Sequence, residues 1–525
     1  MISSYDSQLQ SLESEEADLQ GLHHDLKCRI MFLSRQMGTL RQERQRISEA
    51  ISERRKILSP VRRLPSEILH HIFLDTIDFP VQYSQSKSNN AHWDFHPTQS
   101  SLWLIASVSK RWRNVALSSP KLWSFVNISF TQLTFDDLNY VQQLGLQLHR
   151  ALKHPLSISL CEIDPPSCDE IPPQLIAILF SFASSIHELH LYLPSATLSD
   201  LTRLRLSLPA LESLVVFCTD GIDLPDFGPL RPFSFVPKLR SVQAVDIIDF
   251  VSSFELPWHL VKEYRSDHAF LPYYPSRYIG PRAHEHLAVL RSLEQVEECV
   301  LRLGDASESD EFGDSAFPLV CSQLKSLELS SWNIDANEDH SVFQQVADRL
   351  TLPVLSVLKV SCAEKGNEET EAVFTSICHL LLRSHSPITV FHFNHCRALS
   401  GDLLQLFRSA HTLEDVRLLR TNSDFVGAEI IQELIVDHSS SKDLVLPRLH
   451  TLYISGTRAS RKDLIRMVKS RWGSGEQAQG VERLLTLKLY GRYIKADCLQ
   501  QEISSHLKMC MAGGFSLEIV PYMPK

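Results

Sequence analysis

The sequence predicts a mixed α/β chain in which stacked strand-and-helix units form a solenoid, preceded by a small all-α module and a long N-terminal helix. Three observations predict it: leucines at strict sevenfold spacing within residues 9–58, two short apolar helical stretches lying between Pro60 and Trp123, and a six-residue phrase that returns through the rest of the chain. The boundaries that follow are 1–59 for the helix, 60–127 for the module and 128–525 for the solenoid.

From Leu9 to Leu58 there is no proline, and Leu12, Leu19, Leu26, Leu33, Leu40 and Ile47 recur every seventh residue. The companion series is Leu9, Glu16, His23, Ile30, Met37, Arg44, Ile51 and Leu58, with three polar interruptions. Sevenfold spacing keeps one seam of an α-helix against a partner through slight supercoiling, so the pattern reads as a coiled coil. Two arrangements fit it: self-association through residues 9–58, or an amphipathic helix folded back on the protein's own body. His23-His24, adjacent on a polar helix, read as solvent-facing.

Ser59-Pro60 ends the rod, because the residue before proline is pushed out of the helical region. Leu64-Pro65-Ser66-Glu67-Ile68-Leu69-His70-His71-Ile72-Phe73 then starts a second helix, with Pro65 at its first turn and Glu67 where the helix dipole favours a carboxylate. After the polar stretch Gln82–Thr98, a further helix is expected from Leu102 to Ala116, stopped by Ser118-Ser119-Pro120 and followed by Leu122-Trp123. Roughly sixty residues in short helices bury little surface alone, so an apolar face is left for a partner.

These residues resemble the F-box domain. The match is carried by Leu64-Pro65-x-Glu67-Ile68-Leu69-x-x-Ile72-Phe73, by Val108-Ser109-Lys110-Arg111-Trp112-Arg113-x-x-Ala116, and by Pro120-x-Leu122-Trp123. It departs from the family at Ser109, where a cysteine is usual, and in a longer connection between its halves. The resemblance implies docking on a Skp-type adaptor of a cullin-RING ubiquitin ligase. It puts Leu64, Pro65, Ile68, Leu69, Ile72, Val108 and Trp112 on the adaptor-facing surface, with Phe73 and Trp123 equally suited to holding the module together.

Beyond residue 156 a Leu-x-x-Leu-x-Leu phrase recurs. Copies begin at Ile186, Leu211, Leu239, Leu324, Leu355, Ile388, Leu413, Leu449 and Leu484, with degenerate ones at Leu260 and Val296. Alternation at period 2 marks half-buried strands; between them Val342–Leu350, Ala372–Leu382, Leu403–Ala410, Glu429–Val436 and Asp463–Ser470 read as helices. One strand plus one helix cannot cover its own apolar face, so the units must stack. The pattern resembles an irregular leucine-rich repeat, whose Asn or Cys position is met by Cys396 and, with a hydroxyl, by Thr219, Thr421 and Thr457. The order of rod, F-box and irregular repeats resembles the large F-box protein families of mushroom-forming fungi. The resemblance implies a concave sheet that binds a protein substrate through alternate side chains, among them Glu188 and His190, Glu212 and Ser213, Arg240 and Ser241, Lys325 and Ser326, Glu414 and Asp415, and His450 and Thr451.

Composition narrows the function further. Of 525 residues 62 are Asp or Glu and 52 Lys or Arg, a net charge of −10 with no polybasic tract, which disfavours nucleic acid as a partner. No apolar run approaches the roughly 20 residues of a membrane span, and Met1–Gln10 has no secretory pattern, so an intracellular protein, cytoplasmic or nuclear, is expected. Eleven scattered cysteines without a CxxC read as reduced thiols. No catalytic residue, cofactor or metal site is expected: phosphate-cradling and nucleophile-elbow motifs are absent, His187-Glu188-Leu189-His190 lacks zinc-protease spacing, and His392, His395 and Cys396 lack a fourth ligand. Two acidic runs, Asp305–Asp314 and Glu364–Glu371, suit solvated loops or basic targets, and Gly473–Gly480 a loop. The expected function is substrate recognition for an SCF-type ubiquitin ligase; the alternative is a coiled-coil and repeat scaffold with no ligase role.

Overall fold

The computed structural model describes residues 2–58, 60–76, 101–129, 138–151, 153–161, 173–222, 230–247, 250–267, 283–303, 318–331, 341–362, 369–394, 400–419, 428–436, 444–455, 459–472, 480–491 and 496–521. Outside them lie Gln82–Thr98, Asp305–Asp314, most of Glu364–Glu371 and of Gly473–Gly480, and His395, Cys396, Thr421 and Thr457; the Thr219 side chain is likewise not described.

The chain forms two compact units, Met1–Asp75 and Thr76–Lys525. In the first, α1 (Ile2–Leu58) is one continuous helix of 57 residues, followed by a 3-10 turn at Pro60–Arg63 and by α2 (Ser66–Thr76). Proline at 60 cannot continue α1, and the Pro65 carbonyl opens α2 by accepting from Leu69 N–H at 3.1 Å. The module expected over 60–127 is therefore divided between the two units.

The second unit opens with α3 (Ser101–Val108), α4 (Lys110–Leu117) and α5 (Pro120–Trp123). The single helix expected from Leu102 to Ala116 is broken at Ser109, whose extended backbone and hydroxyl, accepting from Trp112 N–H at 3.1 Å, cap α4. Serine is a strong helix starter and a poor helix interior residue, so Ser109 is an exposed cap and not a buried helical position. The buried Trp123 donates its indole N–H to Ala116 O at 2.8 Å. It meets Trp103 edge-on, with centroids 5.2 Å apart. Arg150, at the end of a helix spanning Leu138–Arg150, lies over both rings at 4.8 and 4.4 Å. These contacts tie α3 and α5 to the start of the sheet, and the expected boundary at 127 falls inside its first strand.

Among the described residues that sheet has fourteen strands: β1 (Phe125–Ser129), β2 (Leu156–Cys161), β3 (Ile186–Leu193), β4 (Ser213–Ile222), β5 (Ser241–Ile247), β6 (Glu263–Asp267), β7 (Glu298–Leu303), β8 (Ser326–Ser331), β9 (Val357–Ser361), β10 (Val390–Asn394), β11 (Asp415–Leu419), β12 (Thr451–Ser455), β13 (Thr486–Gly491) and β14 (Ser516–Pro521). Neighbours in the sheet are neighbours in the chain, and every pairing is parallel. Parallel neighbours need a crossover. The intervening helices include Ser341–Arg349, Glu369–Ser384, Ser400–Ser409, Ala428–Glu433 and Arg461–Arg471, each overlapping an expected helix.

Register explains the leucine phrase. Its second Leu position forms a buried row through Leu189, Leu214, Val242, Tyr264, Cys299, Leu327, Leu358 and onward to Leu517, each directly opposite the next. In β4 to β13 the first position lies two residues before the strand and is buried as an anchor of the preceding turn, as at Leu211, Leu239, Leu324, Leu355 and Leu413. The degenerate sixth-strand copy is anchored by Val261, not by Leu260, which is only partly buried: the two adjacent apolar residues compete, and the turn seats the second. Strands β1, β2 and β14 extend the sheet beyond the expected copies. At most strand starts one carbonyl accepts two amides of the next unit. Glu212 O takes Arg240 and Ser241 N–H, Lys262 O takes Glu297 and Glu298, and Glu414 O takes His450 and Thr451, all at 2.7–3.1 Å.

Cys28, Cys161, Cys218, Cys299, Cys321, Cys378 and Cys510 form no disulfide, and burial pushes the Cys321 thiol up to about 11. Cys362 corrects the expectation of reduced thiols: it is buried just past the end of β9 and is disulfide-bonded.

One buried charge holds a turn closed. Arg471, 2 % exposed, donates to Leu434 O, Val445 O and Leu446 O at 3.1, 2.8 and 2.8 Å, and burial lowers its pKa to about 10, leaving it charged at neutral pH. Leu446 adopts a left-handed backbone (φ +49°), which the guanidinium fork helps to hold. Arg471→Ala strands these carbonyls and is expected to cost about 3 kcal/mol or more. Arg471→Lys should recover only part of that, because an ammonium cannot reach three acceptors in one plane. Urea midpoints of the two variants check this; an unchanged Arg471→Ala midpoint contradicts it.

Candidate functional site

On α2 the apolar residues divide by helical geometry. Leu69 and Phe73 are buried, each 1 % exposed, while Ile68 and Ile72, one residue earlier and so turned by about 100°, stand 45 % and 39 % exposed. Leu64 is half-buried and Pro65 exposed. Leu69 therefore belongs to packing, and of the seven residues expected to face an adaptor it is the one with no surface to offer.

On α3 the same spacing recurs. Leu104 and Val108 stand 54 % and 62 % exposed at i and i+4, while Leu102, Ile105 and Ala106 are buried. Leu104 was not among the expected surface residues; its spacing from Val108, opposite the buried set, is the signal that reveals it. Trp112 on α4 is half-buried. Each helix thus carries its own exposed aliphatic pair.

The second candidate surface is the polar side of the sheet. The residues alternating with the buried row form ladders of their own. One runs Glu188, Ser213, Ser241, Glu263, Glu298 and Ser326; the next, two residues along, runs from His190 through Gln243 and Arg265 to Lys359, His392, Arg417, Tyr453 and Lys488. Of the residue pairs expected on this face, Glu188, His190, Ser213, Ser241, Ser326, Asp415 and Thr451 take it, whereas Glu212, Arg240, Lys325, Glu414 and His450 precede their strands. Charges alternate between strands: Arg302 pairs with Asp267 at 2.7 Å, Lys359 with Glu328 at 3.6 Å and Lys488 with Glu518 at 2.8 Å.

Two clusters stand out on this side. In the first, Ser157 donates to Glu188 at 2.7 Å, Glu188 and His190 Nε2 are 2.9 Å apart, and Tyr192 OH lies 3.3 Å from His190 Nδ1. The hydrogen bond with His190 holds the Glu188 carboxyl below its usual range, against the upward pull of burial. Glu188, His190 and Tyr192 edge a small cavity of about 80 Å³ that Ser213, Gln243 and Arg265 also line, beside a buried apolar group of Cys161, Tyr192, Phe217 and Val245. The serine hydroxyl donates to the carboxylate and not to the imidazole, so the serine–imidazole contact of a histidine-activated nucleophile is not made here. In the second cluster Arg417 forks onto Asp415 at 3.0 and 2.8 Å and covers the Tyr453 ring at 4.7 Å, with His392 Nε2 3.5 Å from Asp415. Burial raises the Asp415 pKa, but His392 and Arg417 outweigh it and the net direction is down.

Among the described residues no three His, Cys, Asp or Glu side chains are grouped to hold a metal, and no helix is long and apolar enough to cross a membrane. Compared with models of known protein families and with curated proteins, the chain matches none. Function is read from these surfaces.

At the rim before the strands, Glu297 bridges Lys262 (2.8 Å) and Lys325 (2.7 Å), one from each neighbouring unit. The two ammonium groups hold its carboxyl down to about 2, from an ordinary 4.5. A depressed carboxylate contributes stability that is complete above the unfolded value and lost as pH falls through the folded one. Stability is therefore expected to decline between pH 4.5 and about 2, more shallowly in Glu297→Gln. Urea midpoints measured across that window check this, and equal slopes for the two proteins contradict it.

Proposed function

We propose that the chain is a substrate-recognition subunit of an SCF-type ubiquitin ligase, in which α2 and α3 dock on a Skp-type adaptor and the polar side of the sheet receives a protein target. The observation that carries the reading is the pair of aliphatic residues left exposed on each helix, Ile68 with Ile72 and Leu104 with Val108. Large aliphatic side chains spaced four apart beside a buried stripe are what a helix presents to a partner's groove. Three of them, Ile68, Ile72 and Val108, fall within the stretches that resemble the F-box, and the sequence order of that motif is kept through Trp123.

The strand order supports a leucine-rich-repeat-like solenoid for the remainder. Fourteen parallel strands in chain order, with buried anchors in the turns before them, fit units that stack because none can bury its own face. In this reading the mixed-charge ladders and the two polar clusters select the target, and no covalent chemistry falls to the chain. Ubiquitin transfer is carried out by other subunits in the cytoplasm or nucleus, and the contribution made here is proximity: a bound target sees a high effective concentration of the charged conjugating enzyme.

Co-expression with a Skp-type adaptor tests the proposal. A stable 1:1 complex is expected, and Ile68→Asp with Ile72→Asp should weaken it about 30-fold or more, the scale of a lost hot spot, without shifting the denaturation midpoint, since both side chains are at the surface. Val108→Asp should act in the same direction. Absence of a complex with the unaltered chain contradicts the reading and returns the protein to a scaffold without a ligase role.

A further inference from the structure

The rod carries an inference that does not depend on the ligase reading. Along α1 the seam from Leu9 to Ile51 is exposed throughout, its large apolar side chains between 47 % and 68 %. An aliphatic stripe of this length, about 63 Å from Leu9 to Ile51 at 1.5 Å per residue and interrupted at Glu16, His23 and Arg44, is more than an isolated helix leaves in water.

Charge decides what covers it. Residues 7–28 carry five carboxylates (Glu13, Glu15, Glu16, Asp18 and Asp25) against Lys27, while residues 29–54 carry six arginines (Arg29, Arg35, Arg41, Arg44, Arg46 and Arg54) against three glutamates. Within one helix only Asp25 and Arg29, at its middle, form an ion pair among the described residues, at 3.1 Å. The asymmetry is not explained by the helix dipole, which acts only within the terminal turns. A second copy laid parallel would set acidic half on acidic half and basic on basic, and would bring the polar seam residues Glu16, His23 and Arg44 against their own counterparts. Laid antiparallel, with Ile30 against Leu33 of the other copy, the acidic half meets the basic half. Glu16 then sits one turn from the second copy's Arg44, and His23 faces an aliphatic Leu40.

We infer that α1 pairs with α1 of a second copy of this chain as an antiparallel two-stranded coiled coil. The polar seam positions choose the orientation at some cost in stability, and the two helix C-termini emerge at opposite ends, about 80 Å apart at 1.5 Å per residue.

Site-directed cross-linking in the full chain tests orientation and partner together. In a Cys28→Ser background, which removes an exposed thiol, Leu12→Cys and Ile51→Cys are made separately; both positions are exposed, so the fold is unaffected. Under mild oxidation neither single variant should form a covalent dimer, whereas their equimolar mixture should, at least tenfold above either alone and reversibly on reduction. Light scattering of the unaltered chain should give a dimer mass that falls at high salt. Self-cross-linking of Leu12→Cys alone, which only a parallel pair allows, overturns the proposal. So does a monomer mass with no covalent dimer in any sample.

Discussion

Each strand of the sheet hides every second side chain, and it can do so only because the strand beside it hides the residue directly opposite. The row from Leu189 through Tyr264 and Leu358 to Leu517 is the result, and a second row through Leu191, Val216, Leu301 and Phe393, apolar but for Ser266, runs beside it, buried throughout. A slip of one residue at β8 or β11 would drive Glu328 or Arg417 into this interior. The connecting helices close over it, as where Phe374 meets Phe393 edge-on at 4.8 Å. Register is therefore the constraint from which everything on the polar side follows.

That constraint leaves the alternate positions chemically free. Nothing about packing asks for Arg417 over Tyr453, for Glu188 between Ser157 and His190, or for Glu297 between two lysines. These contacts join side chains from neighbouring units or from the same strand, so each unit contributes a piece of a surface that none holds alone. A surface assembled this way can vary in charge and shape while the buried rows stay as they are, which suits recognition of a protein target. The same logic applies in miniature on α2 and α3: the buried stripe of each helix fixes its orientation, and the aliphatic pair on the other side is what remains for a partner.

Much of this was legible because burial writes a simple pattern. The phrases at Leu211, Leu355 and Leu413 locate both a turn anchor and a strand, and the helices between them announce themselves by spacing. What escaped had competing signals. Leu260 and Val261 are both apolar, and only the turn geometry seats Val261. The strand at Phe125–Ser129 lacks a leucine anchor, and that at Ser516–Pro521 has Gly514 at the anchor position two residues before it. Ser109 lies between two stretches that could pass as one helix, and its capping hydroxyl breaks them. On the surface the limits are of another kind: Leu69 and Ile68 are adjacent and equally apolar, and a single rotation about the helix axis decides which of them is hidden. The polar clusters were visible only as candidate residues: His190 and Arg417 stand at strand spacing from Glu188 and Asp415, but Ser157 and His392 are brought to them by register.

The most direct measurement for the account is hydrogen exchange of the full chain, alone and with purified Skp-type adaptor in excess. If the aliphatic pairs are the docking surface, amides of Ser66–Thr76 and Ser101–Val108 slow by about tenfold or more while the strands keep their rates. Unchanged exchange in both helices would contradict the account, and slowing confined to the sheet would place the partner on the other surface.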